Sequence, residues 1–211
     1  MPIQITTEQV KELRDSTGIS VMQCKRALEE AEGKMEKALA ILKKTSSDIA
    51  LKKINREVKD GAVMIKTKGD KAVLVSLHCE TDFVSRNNDF ITLLSKLGDM
   101  ALVGGIEKMK KEAKDMIDPI IQKTGENIQL GDVYEVSLGH SPTGEAGDVL
   151  GSYVHNNKIA VIVSLFGGNV ELAKDIAMHI AAMQPEGIPE LLDQAFIKNP
   201  EETVGQLLER N

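Results

Sequence analysis

The residues Cys79-Glu80-Thr81-Asp82-Phe83-Val84-Ser85-Arg86-Asn87 place a large aromatic beside a carboxylate, just past the apolar run Ala72-Val73-Leu74-Val75-Ser76-Leu77. The chain has four Phe, two Tyr and no Trp, so composition alone poorly explains a Phe on a polar stretch. An aromatic displayed in this way is the kind of residue that anchors binding interfaces. Catalytic chemistry has less support. His78, His140, His155 and His179 are scattered, and none stands in a His-x-x-x-His or Cys-x-x-Cys spacing. No Gly-x-Ser-x-Gly elbow or Gly-x-x-x-x-Gly-Lys-Ser/Thr phosphate loop occurs. His179, on an apolar helical stretch, reads as a core histidine. Gly104-Gly105 and Gly167-Gly168 read as turn signals. The residues therefore predict a binding protein with no catalytic residue, no metal site and no cofactor.

The elements that would position Phe83 can be read from periodicity. Thr7 is placed to cap a helix through Arg14, with Val10, Leu13 and Arg14 at helical spacing and Gly18 just past its end. Ser20 caps a second helix whose apolar stripe is Val21, Cys24, Ala27, Leu28 and Ala31, before Gly33. Met35, Ala38, Leu39, Ile41 and Leu42 make a third. These define a three-helix module over 1–45, with a thin core suited to docking. Residues 46–60 read as a partly helical linker. Beyond it the chain repeats itself. Gly61–Thr67 and Ala72–Leu77 read as a hairpin turning at Lys68-Gly69-Asp70, and Gly147–Val154 and Ala160–Leu165 as another turning at Asn156-Asn157. A helix with a similar signature follows each, Asp99-Met100-Ala101 and Asp175-Ile176-Ala177. The expected fold is α+β: the small helical module, then a duplicated core of two α+β halves with antiparallel sheets, 61–140 and 141–211.

The repeat also locates an insertion. Leu77 and Asp99 are 22 positions apart, whereas Leu165 and Asp175 are 10 apart. Thr81-Asp82-Phe83-Val84 falls within the longer interval, where a loop extended on one copy of a scaffold is a natural place for function. The ends differ as well. Ile128–Leu138 reads as a third strand in the first half. The second half ends instead in a helix from Pro200 to about Arg210, with Pro200 in its first turn. Its third strand is missing, which would leave an exposed sheet edge; either the second half is truncated or the edge is covered by other means.

Composition excludes several classes. At 211 residues, 42% hydrophobic and 27% charged, the chain is globular in type. No apolar run nears the ~20 residues that cross a bilayer. Met1-Pro2-Ile3-Gln4-Ile5-Thr6-Thr7 lacks the basic and apolar regions of a signal peptide. Cys24 and Cys79 stand far apart, so neither a disulfide framework nor a zinc site is indicated. A cytoplasmic protein is expected. Lys and Arg total 26 against 32 acidic residues, a net charge of −6, which argues against direct nucleic-acid binding. The local cluster Lys43, Lys44, Lys52, Lys53, Arg56 and Lys59 reads as a solvated face.

An ordered set of motifs carries a resemblance. Val10-Lys-Glu-Leu-Arg14, Thr17-Gly18, Cys24-Lys-Arg-Ala-Leu-Glu-Glu-Ala31-Glu-Gly33 and Cys79-Glu-Thr-Asp-Phe-Val-Ser-Arg-Asn87 come first. Gly125-Glu-Asn-Ile128, Gly147-Asp-Val-Leu-Gly-Ser-Tyr153, Ile176-Ala-Met-His-Ile-Ala181 and Thr203-Val-Gly-Gln-Leu-Leu208 follow. Together they resemble bacterial translation elongation factor Ts, the guanine-nucleotide exchange factor of elongation factor Tu. The resemblance implies that Asp82 and Phe83, within Thr81–Val84, enter the partner's nucleotide-binding domain near its Mg²⁺ and phosphate site. It implies that Leu13, Arg14, Val21 and Met22 of the helical module, which is ubiquitin-associated-like, dock on a helix of that domain. Thr124 and Gly125 would make a further core contact, and His155 would meet another domain of the partner. Ile19-Ser20-Val21-Met22 stands where the family usually has Ala-Gly-Met-Met, and Thr124 replaces a usual apolar residue. Only Gln184–Glu190 bridges the place where many members insert a coiled coil, and the usual final strand and helix are absent, so the chain resembles a short form. The rival expectation is an adaptor that binds a partner without nucleotide exchange.

Overall fold

The computed structural model describes residues 5–138 and 147–211. His140 and the expected junction of the core halves at 140/141 lie outside these residues, as do Met1–Gln4 of the N-terminal stretch.

The N-terminal helices are α1 (Thr7–Thr17), α2 (Val21–Glu30) and α3 (Met35–Lys53). The cap of α1 is Thr6, one residue before the expected Thr7: its hydroxyl accepts from Gln9 N while Gln9 Oε1 accepts from Thr6 N, a reciprocal capping box. Ser20 caps α2 as expected. Leu13, Ile19, Cys24, Ala27, Leu28, Ala31, Ala38 and Leu42 form the buried core of the three helices. The stretch expected to begin a linker at 46 is, as far as Lys53, a continuation of α3. Two of its polar residues, Ser46 and Ser47, are turned to another helix rather than to solvent. That helix is one of three further on, α4 (Asp82–Ser85), α5 (Asn88–Gly104) and α6 (Ile106–Thr124). Ser47 Oγ donates to Asp118 Oδ2 at 2.7 Å, Lys43 Nζ meets Asp115 at 2.7 Å, and buried Ser46 donates to Gln122 Oε1. The α6 side of this seam carries the buried stripe Met109, Ala113, Ile117 and Ile121 at i, i+4 spacing.

Strands β1 (Asp60–Lys68), β2 (Lys71–Cys79) and β3 (Ile128–Ser137) form one sheet in the order β1-β2-β3. The central strand is buried at Ala72, Val73, Val75, Leu77 and Cys79, as a strand flanked on both edges should be. A second sheet pairs β4 (Val149–His155) antiparallel with β5 (Ile159–Leu165), Val149 opposite Leu165 and His155 opposite Ile159. Asn156 and Asn157, at φ 49 and 55, turn it. Helix α7 (Val170–Met183) follows, capped by Asn169 Oδ1 accepting from Leu172 N at 2.9 Å. Gly151 of β4 is required by close approach: a Cβ there would lie 2.1 Å from the carbonyl carbon of Ala173.

The chain ends in α8 (Ile188–Asp193), β6 (Ala195–Phe196), β7 (Asn199–Thr203) and α9 (Val204–Arg210). Pro200 thus lies in a strand and not in the first turn of the last helix. That helix starts after Thr203, whose hydroxyl accepts from Gln206 N while Gln206 Oε1 accepts from Thr203 N, and the residues before it pair with β6. Leu172, Ile176, Phe196, Val204 and Leu207 form the core here. His179 is fully buried, its Nδ1 accepting from Ile197 N at 3.2 Å and its Nε2 meeting Gln194 Oε1 at 2.9 Å.

The α+β class holds, with mixed helix and antiparallel sheet. The division of the chain differs from the expected segments. One compact unit gathers Met1–Gly61, Leu77–Leu93 and Glu107–Gly131; the other gathers Ala62–Ser76, Leu94–Ile106 and Asp132–Asn211. Boundaries at 45, 60 and 140 assume that contacts follow chain order. Here α3 is tied to α6 some seventy residues later, and the division falls within β1, β2, α5 and β3 and after the first residue of α6.

Candidate functional site

The turn that carries Phe83 grows out of the end of β2. Cys79 is fully buried and its thiol donates to Thr81 O at 3.2 Å. Thr81 is extended (φ −133, ψ 159), which turns the chain out of the sheet and into the single helical turn α4. Ser85 N donates to Thr81 O and Arg86 N to Asp82 O, each at 3.2 Å. Asn87 Oδ1 then accepts from Asp89 N at 2.8 Å and starts α5. One helical turn sorts neighbouring residues onto opposite faces. Val84 and Ser85 are buried, whereas Phe83 is 83% exposed. Asp82 stands beside it, half-exposed and 3.3 Å from Arg86.

The turn is held from below by two carboxylates. Glu126 Oε2 accepts from Glu80 N at 3.1 Å and Thr81 N at 3.0 Å, and its Oε1 accepts from the Thr81 hydroxyl at 2.6 Å. In return Glu80 Oε1 accepts from Asn127 N at 2.6 Å and meets Arg56 at 3.4 Å. Asn127 is buried, its side-chain amide donating to Arg56 O at 2.7 Å and Ile54 O at 3.4 Å. Such charge-assisted bonds are short and directional, so the site is a rigid cradle with an apolar wedge on top. Gly125, at φ +78, supplies the left-handed residue that ends α6 and aims Glu126 at the turn. The groups of Thr124 and Gly125 are used within the fold. The Thr124 hydroxyl donates to Ile120 O at 2.8 Å, and Gly125 O accepts from Lys53.

The four motif residues therefore do different things. Phe83 and Asp82 face outward, Thr81 fixes the turn, and Val84 anchors it in the core. In the helical module Arg14 is exposed, as are Val21 and Met22 at 51% and 60%. Leu13, by contrast, is wholly buried in the core of α1–α3, where its side chain holds the module together. The α1–α2 turn lies against the end of α6, since a Cβ at Gly18 would be 3.1 Å from Lys123 Nζ. Lys123 also meets Asp89, in the first turn of α5, at 2.6 Å. His155 is exposed at the end of β4, stacked on Tyr153, whose hydroxyl lies 3.2 Å from its Nδ1. Among the described residues no group of three or more His, Cys, Asp or Glu could hold a metal ion, and no helix is long and apolar enough to cross a membrane.

The sequence model of a family described as Elongation factor TS matches residues 80–190, just over half the chain. It begins at Glu80, the first residue of the cradle. An elongation factor Ts of Idiomarina loihiensis is 35% identical over 209 residues, covering 98% of this chain and 68% of that protein. One from Hahella chejuensis is 41% identical over 213 residues, covering 93% and 69%, and one from Arthrospira platensis is 36% identical over 218, covering 98% and 81%. The chain belongs to the elongation factor Ts family. It is accordingly a translation elongation factor, and it is shorter than these three relatives. The elongation factor Ts match takes in Thr81–Val84, Thr124, Gly125 and His155. Arg14, Val21 and Met22 fall before it.

Sequence reasoning quoted Glu80, Glu126 and Asn127 inside motifs but gave them no task. The signal was present, because two acidic residues stood in the strings around Thr81 and Gly125. No local period links positions more than forty residues apart, so their pairing was invisible until the fold was known.

Proposed function

We propose that this chain binds elongation factor Tu in its GDP form and promotes GDP release, acting as a non-enzymatic exchange factor. A GTPase of this class holds nucleotide through backbone amides, a lysine and Mg²⁺. The Phe83 ring enters between partner side chains and shifts the elements that hold the metal and phosphates. Loss of the metal removes the strongest positive charge facing the phosphates. The Asp82 carboxylate, leaving Arg86, accepts hydrogen bonds from the rearranged partner backbone and disfavours phosphate return by like charge. Arg14, Val21 and Met22 dock the helical module, and Thr124, Gly125 and His155 supply further contacts. By linkage, a factor that weakens nucleotide binding is itself bound less tightly when nucleotide is present. GDP therefore leaves, and GTP expels the factor.

The observation that supports this reading above others is a large aromatic left 83% exposed on a turn fixed from beneath by Glu126. An interface residue held in place before binding loses little freedom on association. The test mixes the full chain with elongation factor Tu loaded with a fluorescent GDP and follows release by stopped flow. Accelerated release that is lost in Phe83→Ala, with co-elution retained, supports the proposal. Co-elution without acceleration in the unaltered chain would leave an adaptor.

A further inference from the structure

A second site lies in the helical part of the same unit. The end of α3, the face of α6 and the start of β3 enclose an open cavity of about 430 Å³, within the ~300–1,000 Å³ range of small-molecule pockets. Its walls are mainly Leu51, Ile54, Ile117, Ile121, Ile128 and Leu130. Leu51 and Ile54 stand at the rim 60% and 56% exposed.

Most of the polar side chains that line it have a donor or acceptor already committed. Asp118 is satisfied by Ser47 and Lys114. The side-chain amides of Asn127 and Gln129 donate to backbone carbonyls at 54 and 56. Among the described residues only Lys110 is a lining cation without an ionic partner. A ligand for this trough is then hydrocarbon along most of its length, because its walls are mainly aliphatic and offer few groups to pair with sugar, base or amide. It must carry one negative charge at one end. From Lys110 to Ile121 along α6 is about 16 Å at the rise of an α-helix, the length of a medium-chain acyl tail.

We propose that this trough binds a single-headed amphipathic carboxylate, a medium-chain fatty acid, with its head at Lys110 and its tail between α3, α6 and β3. The bound tail presses on Ile54, whose carbonyl accepts from Asn127, so occupancy reaches the cradle that holds Phe83.

The test uses the full chain labelled at Ile δ1 methyls and titrated with sodium laurate below its micelle-forming concentration, followed by NMR. The methyls of Ile54, Ile117, Ile121 and Ile128 shift together and saturate. Lys110→Glu, an exposed change that spares the fold, weakens binding by about tenfold, and dodecanol binds about tenfold more weakly than laurate. Leu51→Glu, also exposed, weakens laurate without altering the ligand-free spectrum of the core. Unmoved methyls, or equal affinity of the native chain and Lys110→Glu, would overturn the proposal. The same shifts on simply concentrating ligand-free protein would assign the trough to a second copy of the chain and overturn it too. Tighter, laurate-displacing binding of an acidic amphipathic peptide would assign it to a peptide partner instead.

Discussion

Two turns lead from a strand to a helix in this molecule, and both expose a phenylalanine. Phe83 follows β2 and is 83% exposed; Phe166 follows β5 and is 80% exposed. The surroundings separate them. The turn at Phe83 contains a helical turn of its own and two buried anchors, Val84 and Ser85, and it is gripped by Glu126 and Cys79. The turn at Phe166 passes straight into Gly167 and Gly168, both at φ +73, before Asn169 caps α7. Exposure alone therefore does not mark a wedge. A side chain that must push into a folded partner needs an abutment behind it, because freedom at the tip is entropy to be lost on binding.

The sharpest way to break this comparison is to truncate each ring. Phe83→Ala removes burial worth about 1.5–3 kcal/mol at an interface, so stimulated GDP release slows by roughly ten- to a hundredfold. Phe166→Ala changes it by less than about twofold. Equal losses would show that exposure, not anchorage, makes the wedge. Glu126→Ala tests the anchorage itself and leaves Phe83 intact. Two backbone amides and a hydroxyl lose their acceptor, at about 1–3 kcal/mol. Release slows by about tenfold, the Thr81 amide exchanges faster with solvent deuterium, and Tm falls a few degrees. Glu126→Gln, which keeps one side-chain acceptor, falls between. If Glu126→Ala left release unchanged while the Thr81 amide was deprotected, a rigid abutment would be unnecessary.

How far the sequence announces this arrangement depends on the range of the contacts. Ser20 and Gly18 act within a few residues, and both are seen in the expected roles. The apolar run through Leu77 is the central strand of its sheet. Phe83 stands out in sequence by scarcity and position, and it is 83% exposed. Leu13 and Arg14 show the limit. Helical spacing puts them side by side, and only the packing of α2 and α3 decides that one is core and the other surface. At Pro200, local preference for a first helical turn yields to pairing with β6. Ser46 and Ser47 look solvent-facing in sequence, yet they face Gln122 and Asp118 of α6. The grip of Glu126 on Thr81 spans 45 residues, too far for any local pattern to reveal.

The turn at Phe166 makes its own, smaller prediction. Gly168→Ala forces a Cβ onto a left-handed residue, where it would sit 3.3 Å from Leu172 Cδ2. The conformational penalty is about 1–2 kcal/mol, so Tm falls by several degrees in thermal unfolding. Stimulated release stays within about twofold of the native rate. A large loss of release would mean that this turn, too, must be held in shape for exchange, and the contrast with Phe83 would weaken.

The smallest effect concerns the strands behind the two turns. The turn at Phe83 leaves a strand flanked on both sides, β1-β2-β3, whereas β5 has β4 alone beside it among the described residues. Lys71 of β2 meets Glu135 of β3 at 2.8 Å, and this hydrogen bond holds the Glu135 carboxyl below its ordinary value of 4.5. A carboxyl lowered in the folded state binds its proton more readily when unfolded. The pair therefore adds stability above the unfolded value and loses it as pH falls through the folded one. Both groups are substantially solvated, so the contribution is small and screened by salt. Tm measured against pH for the native chain and Lys71→Met should differ slightly near neutrality and converge in acid, with the difference shrinking at high salt. A gap that widened in acid would show that Lys71 steadies the third strand by packing rather than by charge.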